Sequence, residues 1–305
     1  MDVETLIIHT NQKLKKKLIL KEIQHIFHQE LDTLYGADEA GSFFNILIDF
    51  YLGLNRITLV LEPNYAITKE EEQPLFEALS RLKLYEPIQH IVGKTEFYGL
   101  PFKVNKNTLI PRPETEELVA WILKSISEKK GQPIKILDVG TGTGCIAISL
   151  AKHLPNAQVF AVDISPKALK TAKENAKLNE VSITFIEDSI LDIHDDILES
   201  ATGFFDVIVS NPPYVRDLEK VGIKNNVLQH EPHLALFVKD KNPFEFYKAI
   251  SSFATRALKE NGLLFFEINQ YLGAEMTALL KAYPFKDIEL KNDMFGNQRM
   301  LKGMK

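Results

Sequence analysis

Apolar segments that suit β-strands alternate with amphipathic segments that suit helices from Ile134 onward, and this alternation constrains the fold most. We predict strands at 134–138, 158–162, 182–187, 205–210, 262–268, 286–291 and 297–302. Helices are predicted between them at 145–153, 166–179, 243–259 and 272–282. This order is typical of an α/β fold with a mostly parallel sheet covered by helices on both faces. Ligands of such sheets bind beyond the carboxyl ends of the strands, so the functional residues are expected there.

The chain up to residue 86 has the pattern of a small all-α domain, because its apolar residues recur at helical spacing. Thr68 is predicted to cap a helix over 69–84, with Glu71 completing a capping box. The basic run Lys13 to Lys17 is interpreted as the solvated face of a helix.

A β-hairpin linker is predicted at 87–108, where apolar residues surround Gly93, Gly99 and Pro101. Residues 109–305 are predicted to form the α/β domain. The division into domains agrees with the length of 305 residues, which suggests about two domains.

Composition and charge argue against several kinds of partner. The net charge of −5 does not favour a nucleic-acid partner, since duplex binding usually requires a basic face. No apolar run approaches the ~18 residues of a membrane span, so no membrane partner is expected. Cys145 is the only cysteine, so no intrachain disulfide is possible and a cytoplasmic location is expected. Its side chain is expected to be a small buried one.

The first strand of the α/β pattern runs into a glycine-rich turn with the spacing Gly-x-Gly-x-Gly. Glycine is required where the turn uses backbone angles that disfavour other residues and where a ligand approaches the backbone. Dinucleotide sites more often show Gly-x-Gly-x-x-Gly around a pyrophosphate. S-adenosylmethionine carries no phosphate, and the acidic residue before the turn suits its cationic end, so the spacing favours this cofactor. The alternatives are a NAD site or a turn with a purely structural role. The predicted cofactor contacts are Asp138, Gly140, Thr141, Gly142, Thr143 and Gly144.

Acidic residues also follow the second and third strands. Asp163 lies about 20 positions after the glycine turn, where a carboxylate can accept hydrogen bonds from two ribose hydroxyls. By the same argument Asp188 is predicted to accept the adenine amino hydrogen and Ser189 to border the ring. Solvated acids and helix caps are the alternatives.

The tetrapeptide Asn211-Pro212-Pro213-Tyr214 follows the fourth strand and indicates the chemistry. Two consecutive prolines end the strand and make the backbone rigid. The side-chain oxygen of Asn211 and the carbonyl of Pro212 can each accept one N–H of a planar amide or amino group, and Tyr214 can stack on it. We therefore predict methylation of such a nitrogen by positioning, with Asn211, Pro212 and Tyr214 as catalytic residues and Asn211 also touching the cofactor.

With these motifs, the chain resembles the release-factor glutamine N5-methyltransferases nearly end to end. The segments that carry the resemblance are Glu86-Pro87-Ile88-Gln89-His90, Leu109-Ile110-Pro111-Arg112-Pro113-Glu114-Thr115-Glu116, the glycine turn, Ser210 to Tyr214, Glu231-Pro232, Ala235-Leu236 and Asn297-Gln298-Arg299. The segment from Ile110 to Glu116 narrows the match to this family.

The resemblance implies a seven-stranded Rossmann-like methyltransferase sheet with a reversed last strand, a helical amino-terminal domain that docks release factors and a hairpin linker. It implies a substrate, the glutamine of the Gly-Gly-Gln loop in class 1 peptide-chain release factors, and the products S-adenosylhomocysteine and methylated glutamine. Asn211 to Tyr214 would bind the glutamine, with Pro213 among them, and Arg112, Pro113 and Glu114 would line the approach.

Alternatives and departures accompany this resemblance. The Asn-Pro-Pro-Tyr motif is shared with nucleic-acid amino-group methyltransferases, and a NAD-dependent oxidoreductase or a nucleotide-binding module is a third hypothesis. The chain has Glu267-Ile268-Asn269-Gln270 where family members commonly carry Glu-His-Gly, and Lys-Asp-Lys-Asn replaces a glycine-rich pair between Val238 and Pro243. His230 and His233 are interpreted as part of a loop over the site, and no metal is predicted.

Overall fold

The computed structural model describes residues 18–129, 131–222 and 225–305, and the chain divides into two compact units. One unit extends to Val92 and the other begins at Gly93. The basic run from Lys13 to Lys17 lies outside the described residues. The domain boundaries suggested by the sequence, after residues 86 and 108, stay predictions.

The described part of the first unit is mainly helical. Its helices are α1 (Leu20–Tyr35), α2 (Ala37–Leu52), α3 (Thr58–Leu61), α4 (Lys69–Lys83) and α5 (Ile88–Val92). The three long helices bury their apolar faces in one core, where the rings of Phe27 and Phe44 meet edge to face at 5.1 Å. Two short strands, β1 (Leu18–Ile19) and β2 (Ala66–Ile67), pair antiparallel, so the unit is not purely helical.

Helix α4 begins at the predicted capping box. The Oγ1 of Thr68 accepts a hydrogen bond from the backbone N–H of Glu71 at 3.3 Å, and the Glu71 carboxylate accepts one from the N–H of Thr68 at 2.8 Å. These two contacts satisfy donors that the first helical turn leaves unpaired, and the prediction is confirmed.

The predicted hairpin is present but shorter than expected. Strands β3 (Lys94–Phe97) and β4 (Leu100–Lys103) pair antiparallel around Tyr98 and Gly99, which have φ angles of 51° and 71°. Two positive φ angles are typical of the tight turns that join twisted strands. Residues 88–92 form α5 instead of extended chain, because Ile88, Ile91 and Val92 have helical spacing and are all buried.

A seven-stranded sheet organises the second unit. It contains β5 (Lys135–Val139), β6 (Gln158–Asp163), β7 (Thr184–Glu187), β8 (Phe205–Ser210), β11 (Leu258–Glu267), β12 (Lys286–Asn292) and β13 (Gln298–Met304), in the order β12-β13-β11-β8-β5-β6-β7. All neighbouring pairs are parallel except those made by β13, which runs antiparallel to both of its neighbours. The α/β fold class and the reversed last strand are thus confirmed.

Helices cover both faces of the sheet and build two apolar cores. They are α6 (Pro113–Ser125), α7 (Cys145–His153) and α8 (Pro166–Leu178) in one core and α9 (Asp196–Ser200), α12 (Glu245–Ala257) and α13 (Gly273–Lys281) in the other. Two further short helices, α10 (Asn225–His230) and α11 (His233–Leu236), contribute no residue to either core. Successive residues of β5 point to opposite cores, as strand geometry requires: Ile136 packs with Trp121 and Cys145, and Leu137 packs with Tyr247. Cys145 is buried as predicted, and Trp121 is buried beside it in the same core. A pair of two-residue strands, β9 (Val215–Arg216) and β10 (Phe237–Val238), lies outside the main sheet.

Among the described residues, no helix combines the length and the apolar surface that crossing a membrane requires.

Candidate active site

A cavity of about 250 Å³ opens at the carboxyl ends of β5, β6 and β8, where the strand order of the sheet reverses. Ligands of doubly wound sheets bind at this reversal. The predicted site residues that line the cavity are Arg112, Gly140, Thr141, Gly142, Thr143, Asp163, Asp188, Ser189, Asn211, Pro212 and Pro213. Those that do not line it are Asp138, Gly144, Pro113, Glu114 and Tyr214.

The glycine turn uses backbone angles that favour glycine at all three positions. The φ angles of Gly140, Gly142 and Gly144 are 76°, 57° and 81°. A Cβ on Gly144 would lie 2.9 Å from Cδ1 of Ile148, whereas a Cβ on Gly140 or Gly142 would meet nothing within 4 Å. A Cβ on Gly144 would also lie 3.2 Å from Cβ of Ala172, so Gly144 allows α8 to lie close to the start of α7, and the first two glycines leave open space at the cavity wall.

Asp138 lies directly behind this turn and is only 1% exposed. Its Oδ2 accepts a hydrogen bond from Oγ1 of Thr141 at 2.7 Å, but its Oδ1 has no hydrogen-bond partner in the described part of the chain. Burial raises the pKa of Asp138 to about 7. An unpartnered buried carboxylate oxygen beside a cavity suits a ligand that brings positive charge or N–H donors.

Asp163 ends β6 and shapes the opposite side of the turn. Its two carboxylate oxygens accept hydrogen bonds from the backbone N–H groups of Gly142 and Ser165, both at 2.9 Å. Burial raises the pKa of Asp163, although these two donors act in the other direction. Since each carboxylate oxygen can accept more than one hydrogen bond, capacity remains for ligand hydroxyls.

Asp188 follows β7 and is engaged mainly with its own loop. Its carboxylate accepts hydrogen bonds at 2.8 Å from the backbone N–H groups of Ser189, His194 and Asp195. Burial raises the pKa of Asp188, but these donors outweigh it and the net pKa is lowered. The carboxylate is thus ionised and held rigidly at the cavity edge.

Asn211 follows directly on β8, whose last residue is fixed by a hydrogen bond from Oγ of Ser210 to the carbonyl of Val139 at 2.7 Å. The Nδ2 of Asn211 donates to Oγ1 of Thr115 on α6 at 3.3 Å. No described residue donates a hydrogen bond to its Oδ1. The amide oxygen of Asn211 is therefore left for a ligand at the cavity wall.

Glu267, at the end of β11, connects both ends of the tetrapeptide. It is 1% exposed, and its Oε2 accepts a hydrogen bond from Oγ1 of Thr115 at 2.6 Å. Its Oε1 accepts one from the Tyr214 hydroxyl at 3.0 Å. Burial raises the pKa of Glu267, and burial together with Glu267 raises that of Tyr214. The neutral phenol of Tyr214 is thus anchored away from the cavity, and its stacking on a substrate stays a prediction.

The backbone after the tetrapeptide is held by Asn269. Its Nδ2 donates to the carbonyl of Tyr214 at 3.2 Å and to the Glu219 carboxylate at 2.9 Å. Asn269 belongs to the segment in which the chain departs from the pattern common in the resembled family. The departure thus supplies a contact that fixes the tetrapeptide.

Glu231 anchors the segment that begins at Ile110. Its Oε1 accepts a hydrogen bond from Nη2 of Arg112 at 2.5 Å, and its Oε2 accepts one from the N–H of Ile110 at 3.1 Å. Glu231 is only 4% exposed, whereas Arg112 also lines the cavity. This ion pair therefore sets one wall of the cavity.

Sequence reasoning assigned no individual role to Thr115, Glu231, Glu267 or Asn269. A weak signal was present, because Glu267 is a carboxylate that directly follows the apolar run Leu263 to Phe266 of a buried strand. Buried charges require partners, so such a residue marks a polar network.

Comparisons with protein families agree with the geometry. Residues 130–299 match the family model described as a methyltransferase domain. Residues 28–93 match the model described as the PrmC N-terminal domain.

Individual relatives and solved structures extend this match. A release factor glutamine methyltransferase of Flavobacterium psychrophilum is 54% identical over 93% of this chain and 99% of its own length. One of Bacteroides thetaiotaomicron is 37% identical over 92% of this chain and 99% of its own. A methyltransferase crystal structure from Pyrococcus furiosus, 17% identical, matches the fold with a TM-score of 0.50, covering 78% of this chain and 99% of that one.

Proposed function

Because the chain belongs to the release factor glutamine methyltransferases, we propose that it methylates the side-chain amide nitrogen (N5) of the glutamine in the Gly-Gly-Gln loop of class 1 release factors. One observation carries the proposal: Asn211 to Pro213 and the glycine turn line the same cavity. An amide held by the tetrapeptide would lie beside a methyl donor held by the turn.

The residues around the turn fit S-adenosylmethionine. The unpartnered Oδ1 of Asp138 suits a cationic ligand, and the open space at Gly140 and Gly142 admits one. When bound, S-adenosylmethionine supplies a methyl group activated by a positively charged sulfur. Asp163 would accept hydrogen bonds from the ribose hydroxyls, and Asp188 with Ser189 would border the adenine. Thr141, Thr143 and Gly144 would keep the turn in shape around the donor.

The amide nitrogen is a weak nucleophile because its lone pair is delocalised into the carbonyl. Oδ1 of Asn211 and the carbonyl of Pro212 would each accept one of its two hydrogens, which holds the nitrogen with one face toward the methyl carbon. Pro213 keeps this backbone rigid, and Tyr214, which does not line the cavity while its hydroxyl is held by Glu267, would have to turn toward it to stack on the flat amide. Catalysis is then mainly positioning, with the reacting atoms about 3–3.5 Å apart.

No strong general base is required in this scheme. Methyl transfer leaves the nitrogen positively charged, and such a product loses its extra proton readily. The carboxylates of Asp138 and Glu267 therefore serve to bind and position. A proton-transfer role is not needed from either of them.

The approach to the cavity would be shaped by Arg112, Pro113 and Glu114 in the substrate's path. The amino-terminal unit would dock the release factor. The proposed protein substrate also agrees with the net charge of −5, which gives no general attraction to nucleic acid.

The proposal is tested by incubating the purified protein with methyl-labelled S-adenosylmethionine and a class 1 release factor, followed by mapping of the label. Label on the Gly-Gly-Gln glutamine is expected, and a release factor with alanine in place of that glutamine should remain unlabelled. Transfer to DNA or RNA, with none to the release factor, would favour the nucleic-acid alternative instead.

Asn211→Ala removes the amide that would hold the substrate. Turnover should fall to background, whereas the affinity for S-adenosylhomocysteine, measured by calorimetry, should fall much less, because the glycine turn and Asp163 are unchanged. A variant with normal turnover would refute the role of Asn211.

A further inference from the structure

We propose that Thr115 and Glu267 are positioning residues that fix the direction of the Asn211 amide, so that its oxygen and not its NH2 group faces the substrate. This inference rests on the proposed function, because it concerns how that site selects an amide. Neither residue needs to touch the substrate for this effect.

The Glu267 carboxylate is the fixed acceptor of these contacts. An ionised Glu267 can only accept hydrogen bonds, and it accepts from two hydroxyl groups, those of Thr115 and Tyr214. Burial is the largest effect and leaves the pKa of Glu267 raised, whereas the two hydroxyl donors and the positive charge of Arg299 oppose it and favour the ionised form. The geometry carries the argument, because the two hydroxyl groups each donate to a different oxygen of this carboxylate. The carboxylate is fixed at the end of β11, where the carbonyl of Glu267 also accepts a hydrogen bond from the Tyr247 hydroxyl at 3.0 Å.

The hydroxyl of Thr115 lies between Glu267 and Asn211 and contacts both. Its single hydrogen is committed to Glu267 at 2.6 Å, so Oγ1 of Thr115 presents only lone pairs to Asn211. The Asn211 amide can meet these lone pairs only with its NH2 group, and the observed contact runs from Nδ2 to Oγ1 at 3.3 Å. In the opposite orientation two acceptors would face each other.

The direction of the amide decides what the site accepts. With Nδ2 held by Thr115, Oδ1 of Asn211 is available to an N–H donor, which a substrate amide supplies and a carboxylate does not. A reversed amide would offer N–H groups, attract a carboxylate and lose the hold on the substrate NH2. Buried polar groups that must pair discriminate strongly between such ligands.

Thr115→Val keeps the shape of the side chain and removes the hydroxyl. The amide of Asn211 then loses its directing contact, and we expect kcat to fall about tenfold, the effect of about one orienting hydrogen bond. The affinity for S-adenosylhomocysteine should stay within about twofold of the wild type, because no proposed cofactor residue changes. Thr115→Ser retains a hydroxyl and should restore kcat.

A matched control is Thr171→Val, since Thr171 is similarly buried and its hydroxyl also accepts from an asparagine, at 2.9 Å, but outside the site. Its kcat should equal that of the wild type, even if its thermal stability falls as much as that of Thr115→Val. Glu267→Gln is a second test, since an amide at position 267 can donate to Thr115 and permit the reversed direction. It too should lower kcat.

A binding readout separates orientation from general damage. A release factor with Gly-Gly-Glu in place of Gly-Gly-Gln is titrated as a competitive inhibitor. The ratio of its inhibition constant to the KM of the normal substrate should be several-fold lower for Thr115→Val than for the wild type. The reason is that a reversed Asn211 amide can donate a hydrogen bond to the glutamate carboxylate of the inhibitor.

Failure of the proposed function and failure of this inference give different results. If the wild type leaves the release factor unlabelled, the proposed function itself fails. If the wild type is active but Thr115→Val matches it in kcat and in discrimination against the Gly-Gly-Glu protein, the inference is overturned while the function stands. A loss in Thr115→Val that serine does not restore would likewise overturn it.

Discussion

Replacing Asp138 by asparagine is expected to stabilise the ligand-free protein and to weaken binding of the cofactor. The wild-type carboxylate is buried and has one oxygen without a partner, which raises its pKa from 3.8 to about 7. Between these two pH values the folded protein holds a proton that the unfolded chain has released. The free energy of unfolding of the wild type therefore falls as pH rises through this interval, and it levels off above about pH 7.

The size of the effect follows from the shift. One pKa unit corresponds to about 1.4 kcal/mol, so the asparagine variant should gain stability relative to the wild type by about 2 kcal/mol between pH 5 and pH 7. Asparagine keeps the shape of the side chain and does not titrate, so this gain isolates the carboxylate. All other titrating groups are common to both proteins and cancel in the difference.

Unfolding of the ligand-free proteins is measured at several pH values by calorimetry. As a control, Asp293→Asn should lower the free energy of unfolding relative to the wild type near neutral pH, where Asp138→Asn raises it. Burial raises the pKa of Asp293, but backbone donors and Arg299 outweigh it and leave the pKa lowered, so its carboxylate stabilises the fold above its unfolded pKa and this stability is lost in acid.

Binding of S-adenosylmethionine should show the reverse pattern. As pH falls below 7, the wild type should bind S-adenosylmethionine more and more weakly, because Asp138 must give up its proton on binding. The asparagine variant should bind weakly at every pH and show little change. Parallel stability curves for the two proteins from pH 5 to pH 7 would show that the pKa of Asp138 is not raised in the folded protein.

Two further substitutions test how the site is built. Gly144→Ala should lower the free energy of unfolding by about 1–3 kcal/mol through overpacking against Ile148. Gly203→Ala should lower it less, because Gly203 has a positive φ of 56° but open space around it. Equal shifts of the melting temperature would contradict this prediction. Glu231→Gln removes the charge that holds Arg112, and it should raise the KM for the release factor in steady-state assays without changing the affinity for S-adenosylhomocysteine. An unchanged KM would contradict the role of the Arg112–Glu231 ion pair in shaping the cavity wall.

Local patterns made the elements of the fold predictable. The strand and helix alternation after Ile134 reproduces the sheet, and the capping box at Thr68 fixes the start of α4. The short helix at 88–92 was missed because three apolar residues at helical spacing lie next to a true hairpin. Strand β11 begins earlier than predicted, since an irregularity separates Leu258 from Leu263.

The cofactor turn and the tetrapeptide could be identified because each is a continuous motif. The supporting contacts could not, because they join residues far apart in sequence: 119 positions separate Arg112 from Glu231, and 152 separate Thr115 from Glu267. Only the order of the strands brings these pairs together. The network that orients Asn211 is therefore a property of the topology.

A crystal structure of the protein with S-adenosylhomocysteine and a class 1 release factor would show directly how the glutamine is held. We expect the side-chain nitrogen of the Gly-Gly-Gln glutamine about 3 Å from Oδ1 of Asn211 and from the carbonyl of Pro212, with its free face toward the sulfur. A glutamine that is bound elsewhere, or one whose carbonyl oxygen faces Asn211, would contradict the proposed roles of Asn211 and Pro212.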